Sequence, residues 1–151
     1  DLHRRRHSFP TRRSSDLNTT QTSPYALFLD DLREPESTWL DDEKNSLILE
    51  SGVSNWVIAR DYNQFEFILH SRGIPAMVSF DHDLHREHAR EYLLNSVRTG
   101  YINYEIFNHK TGKDCAKLIM NAVRAGSNKP KWYVHSSNHI GREEIKKIMN
   151  A

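Results

Sequence analysis

Polar and ionisable side chains directly follow three short apolar runs of this sequence. They comprise carboxylates, imidazoles and a hydroxyl, namely Asp30, Asp31, Asp81, His82, Asp83, His135 and Ser136. Carboxylate oxygens are the ligands that hard divalent cations prefer, and imidazoles change charge near neutral pH. If folding brings these groups into one pocket, that pocket is suited to phosphate chemistry assisted by a divalent cation.

Four of these residues are aspartates, which would repel one another at adjoining strand ends. A Mg²⁺ ion, or another divalent cation, would relieve this repulsion and bridge to phosphate oxygens. We therefore predict four metal ligands, which are Asp30, Asp31, Asp81 and Asp83. The alternative is that one or two of these carboxylates cap helices or face solvent.

The elements that must position these residues are predicted from apolar runs and helix signals. Short apolar runs predict buried strands over 25–29, 56–59, 76–80 and 132–134. Apolar spacing and capping residues predict helices between Asp61 and Gly73, over 86–97, between Thr111 and Gly126, and over 141–149. This alternation predicts an α/β fold, a small doubly wound, flavodoxin-like parallel sheet of about four strands in the order 2-1-3-4. The carboxyl ends of such strands converge on one crevice, where ligands bind.

The start of the chain changes the interpretation of its charge. Residues 1–17 resemble the translation of a sequencing adapter, so we expect this segment to be a disordered assembly artefact. It contributes five arginines and two aspartates to totals of 21 basic and 20 acidic residues, which leaves 16 basic and 18 acidic residues and a net charge of −2. That balance does not support a broad nucleic-acid-binding surface. We expect 18–24 to be a disordered lead-in and 25–151 to be one domain.

Cysteine content and hydropathy indicate the compartment. Cys115 is the single cysteine, so the chain forms no intramolecular disulfide, which fits a reducing environment. No apolar stretch approaches the about 20 residues that a membrane-spanning helix needs. We therefore expect a cytoplasmic protein without a membrane association.

Five short motifs together resemble those of one family. They are DDLREP at 30–35, SFDHDL at 79–84, TGKDCA at 111–116, HSSN at 135–138 and GR at 141–142. The set resembles the cyclic-phosphate processing receiver domain, a relative of response-regulator receivers, over nearly all of the chain after residue 25. The resemblance implies a receiver-like fold and a phosphoesterase that processes cyclic phosphate ends in RNA repair.

The resemblance also implies roles for individual residues. Asp30 and Asp31 match the acidic pair of receivers, Asp81 matches their acceptor aspartate, and Ser136 lies where receivers keep a Ser or Thr. Opening a 2′,3′-cyclic phosphate needs a base that activates water and an acid that protonates the departing oxygen. We predict that His82 and His135 divide these roles beside Asp81, although either could be a structural histidine. A zinc site at His85 and His88 is less favoured, because no cysteine could join it.

Phosphate binding is predicted at the first acidic pair and at the last helix. Arg142 follows the glycine that opens this helix, whose N-terminal amides attract anions. Arg33 and Ser136 could reach the same phosphate. The alternatives are that Arg142 is a surface residue paired with Glu143 or Glu144 and that Ser136 caps the helix.

Three functions therefore stay open. The first is a metal-dependent phosphoesterase acting on cyclic phosphates of nucleotides or RNA ends. The second is a non-catalytic receiver-like module that binds phosphate or a partner and regulates it. The third is a phosphatase of another class in which Asp81 is the covalent nucleophile.

Overall fold

The computed structural model describes residues 24–35, 56–99 and 109–151, with side chains of the second helix described up to Leu94. The predicted artefact over 1–17 lies outside these residues, as does the predicted lead-in over 18–24 except for Pro24. These three ranges contain four strands and four helices.

Four parallel strands form the sheet. They are β1 (Ala26–Leu29), β2 (Trp56–Ala59), β3 (Met77–Phe80) and β4 (Lys131–Val134). Their order is β2-β1-β3-β4 with parallel pairing throughout, which confirms the predicted topology. β2 has the predicted bounds, and each of the other three strands differs from its prediction by one residue at its start.

Four helices lie between and after the strands. They are α1 (Tyr62–Arg72), α2 (Arg86–Thr99), α3 (Gly112–Arg124) and α4 (His139–Met149). The predicted cap at Asp61 is confirmed, since its side chain accepts a hydrogen bond from the amide of Gln64 at 2.8 Å. At the start of α3, the Asp114 carboxylate accepts from the amide of Thr111 at 2.9 Å.

The sheet separates two sets of side chains because successive residues of a strand point to opposite faces. Leu27, Leu29, Val78 and Phe80 are buried in the main core with residues of α1, α3 and α4. Ala26 and Met77 belong to a second cluster on the other face. Burying a Leu or Phe side chain contributes about 1.5–3 kcal/mol, so the main core stabilises one face strongly.

The hydrogen-bond ladder continues one residue beyond the strands. The amide of Asp30 donates to the carbonyl of Ala59 at 3.1 Å, and the amide of Asp81 donates to that of Leu29 at 2.9 Å. The amide of His135 likewise donates to the carbonyl of Phe80 at 2.9 Å. These bonds fix the first polar residue after β1, β3 and β4 in one row across the sheet.

Candidate functional site

Four residues share this row at the carboxyl ends of the strands, and we call them the strand-end row: Arg60, Asp30, Asp81 and His135. The strand registers place Leu29 opposite Ala59 and Phe80, and Phe80 opposite Val134, so the next residue of each strand continues the alignment. The predicted convergence of Asp30, Asp81 and His135 is thus observed, and it follows from pairing of the strands.

Three carboxylates at the row form a compact acidic cluster, defined as Asp30, Asp31 and Asp81. One oxygen of each lies within 4.8 Å of the others, close enough for a single cation to contact all three. Burial raises the pKa of Asp81, and the neighbouring charge of Asp30 adds to this effect. Burial and the charges of Asp81 and Asp30 raise the pKa of Asp31 in the same way. Bringing a divalent cation to these oxygens would offset their repulsion.

Asp30 differs from its two neighbours because donors surround it. Its carboxylate accepts from the amides of Leu32 and Arg33 at 2.9 and 2.6 Å and from Nε of Arg33 at 2.7 Å. Burial alone would raise the pKa of Asp30, but the hydrogen bond with His135 and those from the two amides hold it well below the ordinary range. Asp30 is therefore the most firmly ionised member of the cluster.

Arg33 brings a positive charge to the cluster. Besides its contact with Asp30, its Nη2 lies 3.4 Å from Oδ2 of Asp81. Arg60 supports the same loop from the other side, since its Nη1 donates to the carbonyls of Asp30 and Arg33 at 3.1 and 2.7 Å. The predicted phosphate ligand Arg33 thus lies beside the acidic cluster.

His135 is held at both ring nitrogens. Its Nε2 lies 3.1 Å from Oδ2 of Asp30, and its Nδ1 lies 2.7 Å from the hydroxyl of Ser79. The ring stacks on Phe28 with centroids 4.5 Å apart and an interplanar angle of 4°. With Asp30 ionised, Nε2 carries a proton towards it, and Ser79 then donates to Nδ1 when the imidazole is neutral.

His82 lies in different surroundings, beneath the start of α4. Its fully buried imidazole has Nδ1 2.9 Å from Oδ1 of Asp83 and Nε2 3.5 Å from Oε2 of Glu144. Burial favours the neutral ring, but the hydrogen bonds and charges of Asp83 and Glu144 raise the pKa of His82 above its ordinary value of 6.5. These partners lie outside the acidic cluster, and the predicted acid–base role of His82 stays a prediction.

Two glycines allow helices to approach the residues after β3. A Cβ atom at Gly141 would lie 2.2 Å from Cγ of His82, and one at Gly112 would lie 1.8 Å from the carbonyl oxygen of Asp81. Both distances are far shorter than van der Waals contact. Glycine is therefore required at both positions if α3 and α4 are to cover this loop.

The remaining predicted site residues are placed around the β4–α4 loop. Ser136 is buried, and its hydroxyl accepts from the amide of Asn138 at 3.2 Å and interacts with Asp81. Arg142 donates from Nε and Nη2 to the carbonyl of Ser136, at 3.2 and 2.7 Å. Asp83 accepts from Nδ2 of Asn138 at 3.1 and 3.3 Å and does not belong to the acidic cluster. Phosphate binding by Arg142 and metal binding by Asp83 stay predictions.

The sequence analysis missed Ser79 and Arg60. Ser79 lies two residues before Asp81, so the two-residue period of the strand predicts the same face for both. Arg60 directly follows β2, which is the position that Asp30, Asp81 and His135 occupy after their strands. The same period places His82 on the face of Phe80, opposite to Asp81.

The acidic cluster opens into a groove of about 660 Å³. Its walls include Arg33, the loop after β3 and side chains of α2, among them Arg86, Arg90 and Leu93. A phosphate at the cluster would therefore face arginines as well as carboxylates, and an apolar portion of a ligand could lie against α2.

The family comparison agrees with this geometry. A family model described as the cyclic-phosphate processing receiver domain matches residues 25–151. The chain belongs to this family. The match confirms the resemblance that the motifs indicated and fits the receiver-like sheet with its cluster of aspartates.

Two further comparisons found no match: no curated protein and no solved structure matches the chain significantly. None of the helices in the described ranges has the length and apolar character that a membrane crossing requires.

Proposed function

We propose that this receiver-like domain is a divalent-cation-dependent phosphoesterase that opens cyclic phosphates of nucleotides or RNA ends. The main support is the acidic cluster beside Arg33, in a family described by cyclic-phosphate processing. Oxygen ligands favour Mg²⁺ or a similar hard cation. When bound, such a cation would polarise a phosphate oxygen and offset the negative charge of the carboxylates.

The residues of the cluster have separate tasks in this proposal. Asp30, Asp31 and Asp81 hold the cation, and Arg33 exchanges part of its contact with Asp81 for a phosphate oxygen. A guanidinium already held within 3.4 Å of a carboxylate is well placed for this exchange. Ser136 orients the same phosphate through its contact with Asp81.

Proton transfer is assigned to His135. Its imidazole contacts Asp30 of the cluster through Nε2, and Ser79 donates to the opposite nitrogen, so the ring has a fixed orientation and a fixed tautomer beside the cluster. His82 is given a supporting role in the loop after β3, because its partners include Asp83, Asn138 and Glu144.

A second function, the non-catalytic receiver-like module, is favoured by one observation. The side chains of His82 and His135 are only 0% and 5% exposed, and both contact carboxylates, which is typical of structural histidines. In that case Asp81 and Arg33 would bind a phosphate or a partner without turnover.

The deciding experiment follows 2′,3′-cyclic mononucleotides by phosphorus NMR, with Mg²⁺ or with chelator. We expect monoester to appear only with metal and to be lost in Asp31→Asn, while the exposed control Glu143→Gln retains activity. Phosphate binding without turnover would support the regulatory module instead. A trapped aspartyl-phosphate on Asp81 would support the third class of phosphatase and contradict the proposal.

A further inference from the structure

A second group of potential metal ligands lies outside the acidic cluster. His85 precedes α2, Glu87 lies in the first turn of α2, and His109 precedes the cap of α3. One ligand atom of each lies within 4.8 Å of the others. The two imidazole rings are stacked, with centroids 3.9 Å apart and an interplanar angle of 10°.

One buried nitrogen of this group, in His85, supports the binding of an ion. Nδ1 of His85 has almost no exposed surface and no hydrogen-bond partner among the described residues. Buried polar atoms in native proteins are nearly always paired with protein, water or an ion. A cation shared by the two imidazoles would give the buried Nδ1 of His85 a partner.

A hydrogen bond from His88 holds the backbone of His109 beside α2. Nε2 of His88 is 3.0 Å from the carbonyl oxygen of His109, and Nδ1 of the same ring accepts from the amide of Leu84 at 3.3 Å. Burial lowers the pKa of His88, in keeping with a neutral ring. Since both nitrogens of His88 are occupied by backbone groups, this residue anchors the segment of His109 to α2 instead of acting as a ligand.

We propose that His85, Glu87 and His109 form a binding site for a zinc-type divalent cation, separate from the acidic cluster. Two imidazole nitrogens and one carboxylate suit Zn²⁺ and its transition-metal neighbours, whereas Mg²⁺ prefers oxygen ligands alone. Because the two ring planes are nearly parallel, binding one cation through both imidazoles would require the rings to rotate out of their stack. Water would complete the four-coordinate shell.

The site would join two parts of the fold. Its ligands come from the start of α2 and from the segment before α3, so a bound cation would cross-link them. His85 also lines the groove that contains the acidic cluster. The bound cation would therefore lie at the edge of that groove and fix the loop that follows β3.

The test is a Zn²⁺ titration of the full chain in excess Mg²⁺, observed through the imidazole nitrogen resonances. We expect one Zn²⁺ to shift the resonances of His85 and His109. His85→Gln and His109→Gln should each weaken binding by at least about tenfold, and each should lose the rise in melting temperature that Zn²⁺ gives the parent. His70→Gln, an exposed histidine of α1, is the matched control and should bind like the parent.

Two further variants keep the test decisive. Glu87 and His109 are exposed, so Glu87→Gln and His109→Gln report on binding even if His85→Gln fails to fold. Asp81→Asn should leave the zinc affinity unchanged, because it alters the acidic cluster alone. Unchanged affinity in His109→Gln and Glu87→Gln, or shifts confined to other histidines such as His3 and His7, would overturn the proposal.

Discussion

His82 and His135 lie just beyond the neighbouring strands β3 and β4, but their surroundings differ. His135 continues the strand-end row, stacks on Phe28 and contacts Asp30 of the acidic cluster. His82 lies one residue beyond that row and turns to the other face, beneath α4, where Asp83 and Glu144 contact it. Both are buried and both have carboxylate partners, so burial and charge do not distinguish their roles.

Strand periodicity distinguishes them. His135 lies two residues after Tyr133, so both point to the second face of the sheet. His82 lies two residues after Phe80, so both point to the main core. A shift of one residue therefore changes which side of the sheet an imidazole reaches. We infer that His135 serves the strand-end chemistry and that His82 serves the packing of α4.

The largest expected effect follows from exchanging each histidine in turn. His135→Gln should lower turnover of a cyclic phosphate about 100-fold or more, because an acid–base group is lost, and should also reduce the free energy of unfolding, because Asp30 and Ser79 lose a partner. His82→Gln should mainly reduce the free energy of unfolding, because Asp83 and Glu144 lose their shared partner. Turnover and urea unfolding of both variants provide the measurement.

His139→Gln is the matched control for this pair. His139 begins α4 and contacts the hydroxyl of Tyr92 at 2.8 Å, away from the acidic cluster. Its replacement should leave turnover near the parent value. Equal loss of turnover in His82→Gln and His135→Gln, with unchanged stability in both, would contradict the division of roles.

Intermediate effects are expected from the aspartates beside His135. Asp30 has a lowered pKa, so the fold favours its charge, and Asp30→Asn should cost about 2 kcal/mol through its charged hydrogen bonds. Asp81 has a raised pKa, so Asp81→Asn should stabilise the metal-free protein. Urea unfolding at pH 7 in chelator should show a lower free energy of unfolding for Asp30→Asn and a higher one for Asp81→Asn than for the parent.

The contribution of Asp30 to the free energy of unfolding also depends on pH. The contribution of Asp30 is fully present above its unfolded pKa, about 3.9, and is lost as the pH falls through its lower folded value. The difference between Asp30→Asn and the parent should therefore shrink in acid. Two variants that stabilise the protein equally at pH 7 would show that burial alone, and not the donors around Asp30, governs the charge of the cluster.

The sequence predicted the sheet well because its information is local. Each strand is a short apolar run, and the structure confirms the cap predicted at Asp61. Asn138 accepts from the amide of Gly141 at 2.9 Å, as a residue before a helix should. Strand order then followed from right-handed crossovers.

Prediction of the site was less complete because side-chain partners depend on tertiary distances. The convergence of Asp30, Asp31 and Asp81 could be predicted from strand ends, whereas the contact of Asp83 with Asn138 could not. Arg142 binds a carbonyl of its own loop, a geometry that motif spacing does not contain.

The smallest effect concerns the protonation of His82. Its pKa is raised in the folded state, so its contribution is fully present below about 6.5, the unfolded value, and declines as the pH rises through the folded value. His88, whose pKa is lowered by burial, opposes the trend only near that pH, where the unfolded imidazole is still partly protonated. The parent should therefore lose stability as the pH rises above 6.5, and Glu144→Gln should lose less because it no longer favours the imidazolium. Equal slopes of unfolding free energy against pH in the two proteins would show that Glu144 does not raise the pKa of His82. Asp83 would then be the partner that sets the charge of His82.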